Sequence, residues 1–260
     1  MLVGDPQQLK PVILLDELTN RKLRRKYHVA DEYDYRENSI YKTYLACDAV
    51  SDEILLRNHY RCNKKIIDFN NKKYYNSKLQ VQSDSRERQP LVYVNVDGGP
   101  GDMKNTSPAE VEEIMRYAGE NPDKSIAVIT PFVNQRILIE RGINENGFEH
   151  VVCGTVHAFQ GDEKDVVLFS TALSDRTGKG TYDWLKNNKE LINVATSRAK
   201  DKLILLADGK ELERLHQGNE DDDLYELVQY VKTNGESKIT EKHISSRALG
   251  IQPFSTETEA

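Results

Sequence analysis

Thr155–Ser170 reads TVHAFQGDEKDVVLFS, and this stretch decides the fold. A short polar turn, Gln160-Gly161-Asp162-Glu163, stands directly before a β-branched apolar run, Val166-Val167-Leu168-Phe169. That is the pattern of a buried strand in an α/β sheet. Downstream, Leu191–Lys200, LINVATSRAK, places Leu191, Ile192, Ala195 and Ala199 on one side of an amphipathic helix, with Arg198 in its last turn.

Working outward from these two stretches, strand and helix alternate. Ile126–Thr130 reads as a strand, Asn134–Glu145 as a helix, Val151–Val156 and Val166–Thr171 as strands, Glu190–Ala199 as a helix and Leu203–Ala207 as a strand. The alternation predicts an α/β fold with a parallel-rich sheet and helices on both faces. Ligands of such sheets bind outside the carboxyl ends of the strands.

Further upstream, Met1-Leu2-Val3 reads as the tail of a strand ending at Gly4-Asp5, and Glu53–Leu56 as a second strand. Ser39–Ala46 reads as a short helix with Ile40, Tyr44 and Leu45 inward. Asn63–Tyr75 is a helix packed on the sheet, and Leu91–Val96 a strand ended by a glycine-rich loop. Ser107-Pro108-Ala109-Glu110 is a helix start with serine as cap and proline at the first position. Ser174–Lys189 reads as a loop carrying the only tryptophan, Trp184, as packing anchor or base-stacking group. Asp221-Asp222-Asp223 leads a helix with Leu224, Leu227, Val228 and Val231 on one face, and the tail after Gly235 reads as polar and disordered.

The 260 residues are enough to bury a sizeable core. A net charge of −6 and a pI near 5.6 exclude a protein that coats nucleic acid by bulk charge, so any such contact is a local groove. Cys47, Cys62 and Cys153 form no C-x-x-C pair, which argues against a disulfide framework or zinc site and for a reducing, cytoplasmic setting. No apolar run approaches the ~20 residues of a membrane helix. Glu17–Lys26, which contains Arg21–Lys26, RKLRRK, reads as a solvated helix face or linker or as a nucleic-acid or partner patch.

The Thr155–Ser170 and Leu191–Lys200 stretches together resemble motifs V and VI of superfamily 1 helicases, nearest to the nonsense-mediated-decay-type branch. Three more blocks agree in order. Leu2–Val12, LVGDPQQLKPV, looks like motif III; Leu56–Phe69, LRNHYRCNKKIIDF, like motif IV; Ile129–Gln135, ITPFVNQ, like the block that follows. The resemblance implies a RecA-like P-loop NTPase fold, here the second helicase domain. It also implies a preceding domain that supplies the phosphate loop and the magnesium-binding carboxylates, since no G-x-x-x-x-G-K-[ST] segment occurs in the chain. The expected division is 1–50 as the end of the first RecA-like domain and a connector, 51–209 as the second, and 210–260 as a helix and tail.

By the same resemblance, Arg61 and Arg198 match the arginine fingers that complete an ATP site across the interdomain cleft. Arginine suits that task because its guanidinium stays charged and donates in a planar fork. Gln8 matches the phosphate-sensing glutamine of motif III. Gly4, Asp5, Tyr60, Gly161 and Glu163 are expected near the nucleotide, with ATP and Mg2+ bound mainly through the first domain. Thr130, Pro131, Thr155 and His157 are expected to hold phosphates of single-stranded DNA or RNA without reading sequence. His59, Cys62 and His157 depart from the family's usual glutamine, methionine and aspartate, which affects the finer contacts. The expected function is the C-terminal half of a monomeric ATP-dependent helicase or translocase. The reading from another class is a non-enzymatic nucleic-acid-binding or partner-docking module derived from one.

Overall fold

The computed structural model describes residues 3–5, 7, 13–48, 54–85, 87–97, 103–159, 163–218 and 220–240. The helices are α1 (Glu17–Tyr27), α2 (Ile40–Cys47), α3 (Lys64–Tyr74), α4 (Pro108–Glu120), α5 (Val133–Asn146), α6 (Lys179–Lys186), α7 (Lys189–Thr196), α8 (Gly209–His216) and α9 (Asp223–Asn234). The strands are β1 (Asn58–His59), β2 (Gln80–Val81), β3 (Leu91–Asn95), β4 (Ile126–Thr130), β5 (Val151–Thr155), β6 (Lys164–Ser170), β7 (Ala199–Ala207) and β8 (Glu236–Ile239).

The main sheet has the order β5-β4-β6-β7-β3-β8, and every neighbouring pair is parallel. Its central strands, β4, β6, β7 and β3, are largely buried on both faces because helices cover both. Alternate residues divide accordingly: Ile129, Phe169 and Leu205 join a core with α3, α6, α7, α8 and α9, while Val128, Leu168 and Ile204 face α4 and α5. The fold is that of a RecA-like domain, with a parallel sheet between two helical layers. A separate parallel pair, β1 with β2, carries the approach to α3.

Helix starts follow their caps. Ser107 accepts from the Glu110 N–H, Asn63 from Lys65, Asn188 from Leu191 and Asp222 from Tyr225. Leu224, Leu227, Val228 and Val231 are all buried, as their spacing implies. Thus α9 packs on the same sheet, and β8 extends it.

Several expectations are corrected. Ile40, Tyr44 and Leu45 are exposed at 77%, 47% and 43%, so α2 does not turn them inward. Ile54–Leu56 forms no strand, and pairing begins at Asn58. Val3 is exposed and outside any strand. The Ser174–Lys189 stretch contains α6, because burial of Tyr182 and Leu185 fixes a helix there despite the glycines around it. Glu236–Ile239 is an ordered edge strand rather than disordered tail, held by backbone pairing with β3.

Candidate functional site

Three segments far apart in sequence converge where β6 and β7 begin. Glu163 stands immediately before β6 and Arg198 immediately before β7. Arg61 arrives from the turn between β1 and α3, a turn fixed by a 2.7 Å bond from the Asn63 N–H to the Lys200 carbonyl. The Arg61 Nε donates to Glu163 Oε2 at 2.5 Å, and the Lys200 ammonium lies 3.1 Å from Glu163 Oε1. Cys62 ties the same turn down: its N–H donates to His59 Nε2 at 3.0 Å and its thiol to the Ser197 carbonyl at 3.3 Å.

Arg198 is not in the last turn of a helix. α7 ends at Thr196, Ser197 caps it, and Arg198 occupies the turn into β7, with its Nε donating back to the Val194 carbonyl at 3.3 Å. It is only 2% exposed, so its guanidinium lies beneath the surface that Arg61 and Lys200 line.

The cluster is electropositive. Burial opposes ionisation of Glu163, but the hydrogen bonds from Arg61 and Lys200 outweigh burial and hold its carboxyl below the ordinary range. Burial first, then repulsion from Arg61 and Arg198, pushes His59 down to about 4. Burial, with Arg61 beside it, lowers the Arg198 pKa, yet guanidinium remains charged. Among the described residues, Glu163 faces three cations, Arg61, Arg198 and Lys200, with Asp165 and Asp201 also acting on Lys200, and guanidinium groups placed in this way suit a phosphate.

The expectation that ligands of this sheet bind outside the carboxyl ends of its strands does not extend to these residues. Arg61, Glu163 and Arg198 lie at the amino edge of the sheet, whereas Thr130 and Thr155, paired in register, close β4 and β5 at the carboxyl edge. β6 has seven residues, which at about 3.3 Å per residue separates the edges by roughly 20 Å. Thr130 is fully buried and its hydroxyl accepts from the Phe132 N–H at 3.5 Å, so the surface there is offered by Pro131 and Thr155.

Asp5 accepts from the Tyr75 hydroxyl at 2.7 Å and from the Gln7 N–H at 2.9 Å, and Tyr75 also feels the charge of Arg198. Gly4 lies against Tyr41, and Tyr60 is 68% exposed. Gln8 and Gly161 fall outside the described residues; His157 belongs to the turn Val156–Phe159, its side chain outside them too.

Sequence reasoning passed over Lys200 and the polar link behind the site. Asn193 of α7 donates to the Gln7 carbonyl and to the Tyr75 hydroxyl, both at 2.9 Å, while Asn70 donates to its side chain at 2.8 Å and accepts from Thr196 at 2.9 Å. The signal was an asparagine amid an otherwise apolar helix face, which is buried only when its polar groups are satisfied.

Fold and site together define a RecA-like α/β domain with a cationic amino edge. Residues 36–210 match the family described as an AAA domain, and the chain belongs to that family. It is similar to the RNA helicase Mov10l1 of Mus musculus, 27% identical over 273 residues, which cover 90% of this chain and 22% of the relative. It is also similar to the human DNA replication ATP-dependent helicase/nuclease DNA2, 26% identical over 251 residues, covering 79% of this chain and 22% of that protein. The chain thus spans about a fifth of the length of these relatives. Among solved structures, the C-terminal domain of a possible DNA helicase from Lactobacillus plantarum WCFS1 superposes with a TM-score of 0.42 at 16% identity, over 70% of this chain and 99% of that one. The chain is a helicase-related domain, in keeping with the resemblance of its motifs to superfamily 1.

Proposed function

We propose that this chain forms the C-terminal RecA-like half of an ATP-dependent superfamily 1 helicase of the nonsense-mediated-decay-type branch. The observation that carries this reading is the convergence of Arg61, Arg198 and Lys200 around Glu163 at one edge of the sheet. A surplus of fixed positive charge there suits the triphosphate of ATP held by a preceding RecA-like domain. ATP supplies the phosphoryl group whose hydrolysis drives the motor. Arg61 exchanges Glu163 for a phosphate oxygen, and Glu163, still paired with Lys200, accepts from a ribose hydroxyl. Arg198 approaches as the cleft closes, a ligand-driven shift between two arrangements. Gln8, Gly161, Gly4, Asp5 and Tyr60 line the same cleft in this reading.

No group of three or more His, Cys, Asp or Glu placed to hold a metal occurs among the described residues, and Mg2+ is assigned to the first domain. The opposite edge, with Pro131 on the turn shaped by Thr130, Thr155 at the end of β5 and His157 in the turn that follows it, receives the backbone of single-stranded DNA or RNA. No helix among the described residues is long and apolar enough to cross a membrane. We place the protein in the cytoplasm as a monomer.

The test is ATP hydrolysis by the 260-residue chain, with and without single-stranded DNA or RNA. The expected outcome is no turnover above background, with turnover appearing when a first RecA-like domain is supplied. Strand-stimulated turnover by the chain alone, removed by Arg61→Ala, would show that it holds a phosphate site of its own and overturn the half-motor reading.

A further inference from the structure

Trp184 is the only tryptophan of the chain, and it projects from α6 beside the carboxyl edge. Its ring centroid lies 6.0 Å from that of Phe132, tilted by 46°, and Phe132 directly follows Thr130-Pro131. Phe132 is buried, whereas Trp184 remains 47% exposed. The contact therefore fixes the indole without consuming its surface.

The helix that presents it is firmly held. Tyr182 and Leu185, on the other side of α6, are fully buried, and the Tyr182 hydroxyl donates to Asp222 at 2.7 Å. Side chains on a helix lean over the turn that precedes them. One turn before Trp184 stands Gly180, which has no side chain to cover the ring. The adjoining carboxylate of Asp183 is neutralised by Lys186 at 3.2 Å, and Lys179 in the first turn is exposed.

We propose that Trp184 is a stacking platform for one base of the single-stranded nucleic acid lying on the Pro131 and Thr155 edge. This inference rests on the strand-binding reading of that edge and adds to it a contact with a base. Stacking is tolerant of sequence because every base has a π-face, so the platform grips the strand between phosphate contacts without reading it.

The test uses Trp184 as its own reporter. The chain is titrated with fluorescein-free oligothymidylate and oligouridylate of 20 nucleotides and with an abasic strand of equal length, following indole emission; anisotropy of end-labelled strands reports binding separately. Base-bearing strands are expected to quench the emission while the abasic strand binds without quenching. Trp184→Ala is expected to weaken the base-bearing strands ~tenfold or more, with Trp184→Phe retaining most of the affinity. Binding that leaves the emission unchanged, with unaltered affinity in Trp184→Ala, overturns the platform while the strand edge stands. Absence of any strand binding by anisotropy overturns both.

Discussion

Glu110→Gln separates one ionisation from the rest of the molecule. Glu110 lies fully buried in the first turn of α4, where its carboxyl accepts the Ala172 N–H at 3.0 Å to each oxygen, the Thr171 hydroxyl at 3.3 Å and the Ser170 hydroxyl. Removal from water raises its pKa more than these hydrogen bonds lower it, from 4.5 to about 8. Because the folded value lies above the unfolded one, the stabilisation is full below pH 4.5 and is lost as the pH climbs through 8. From pH 6.5 to 8 the expected loss is about 1.5 kcal/mol. Other shifted groups act elsewhere: His59, lowered to about 4, acts below pH 6.5, and Cys62 and Cys153, raised to about 12, act above pH 9. Glutamine keeps an acceptor for Ala172 and donates to Ser170, but cannot ionise. Urea unfolding of both proteins at pH 6.5, 7.25 and 8 is the assay. Stability of the wild type should fall over this range while that of Glu110→Gln stays level; parallel curves would refute the reasoning.

Three further outcomes follow from the same geometry. The folded pKa of His59 lies below 6.5, so its contribution is present above pH 6.5 and lost as the pH falls toward 4; His59→Gln, which keeps an acceptor for Cys62, should lessen the acid destabilisation seen in thermal melts. Gly235→Ala drives a Cβ into the Leu91 backbone carbonyl, and should cost ~1–3 kcal/mol in urea unfolding with loss of hydrogen-exchange protection in β8. Ile129→Ala empties a fully buried position in the sheet and should cost ~2–5 kcal/mol, measured the same way.

The central strands were legible because their side chains are buried on both faces, so Val166–Phe169 and Ile126–Thr130 declare themselves by composition. α6 was not legible: Gly178, Gly180 and Thr181 read as loop, and only packing of Tyr182 and Leu185 against the core makes the helix. β8 shows no apolar pattern because its residues are all exposed and its stability comes from backbone pairing with β3. In the site, motif resemblance singled out Arg61, Glu163 and Arg198 individually. Their meeting at the amino edge, and the burial of Arg198, depend on how the parallel sheet stacks segments some 100 residues apart, which no local pattern encodes.

The most direct measurement is steady-state ATP hydrolysis by the protein carrying both RecA-like halves, wild type against Arg198→Ala, with ATP affinity measured alongside. If Arg198 completes the ATP site, turnover falls by ~10³-fold or more while nucleotide binding is largely kept. Turnover of Arg198→Ala close to wild type contradicts the arginine assignment and, with it, the proposed motor role of this edge.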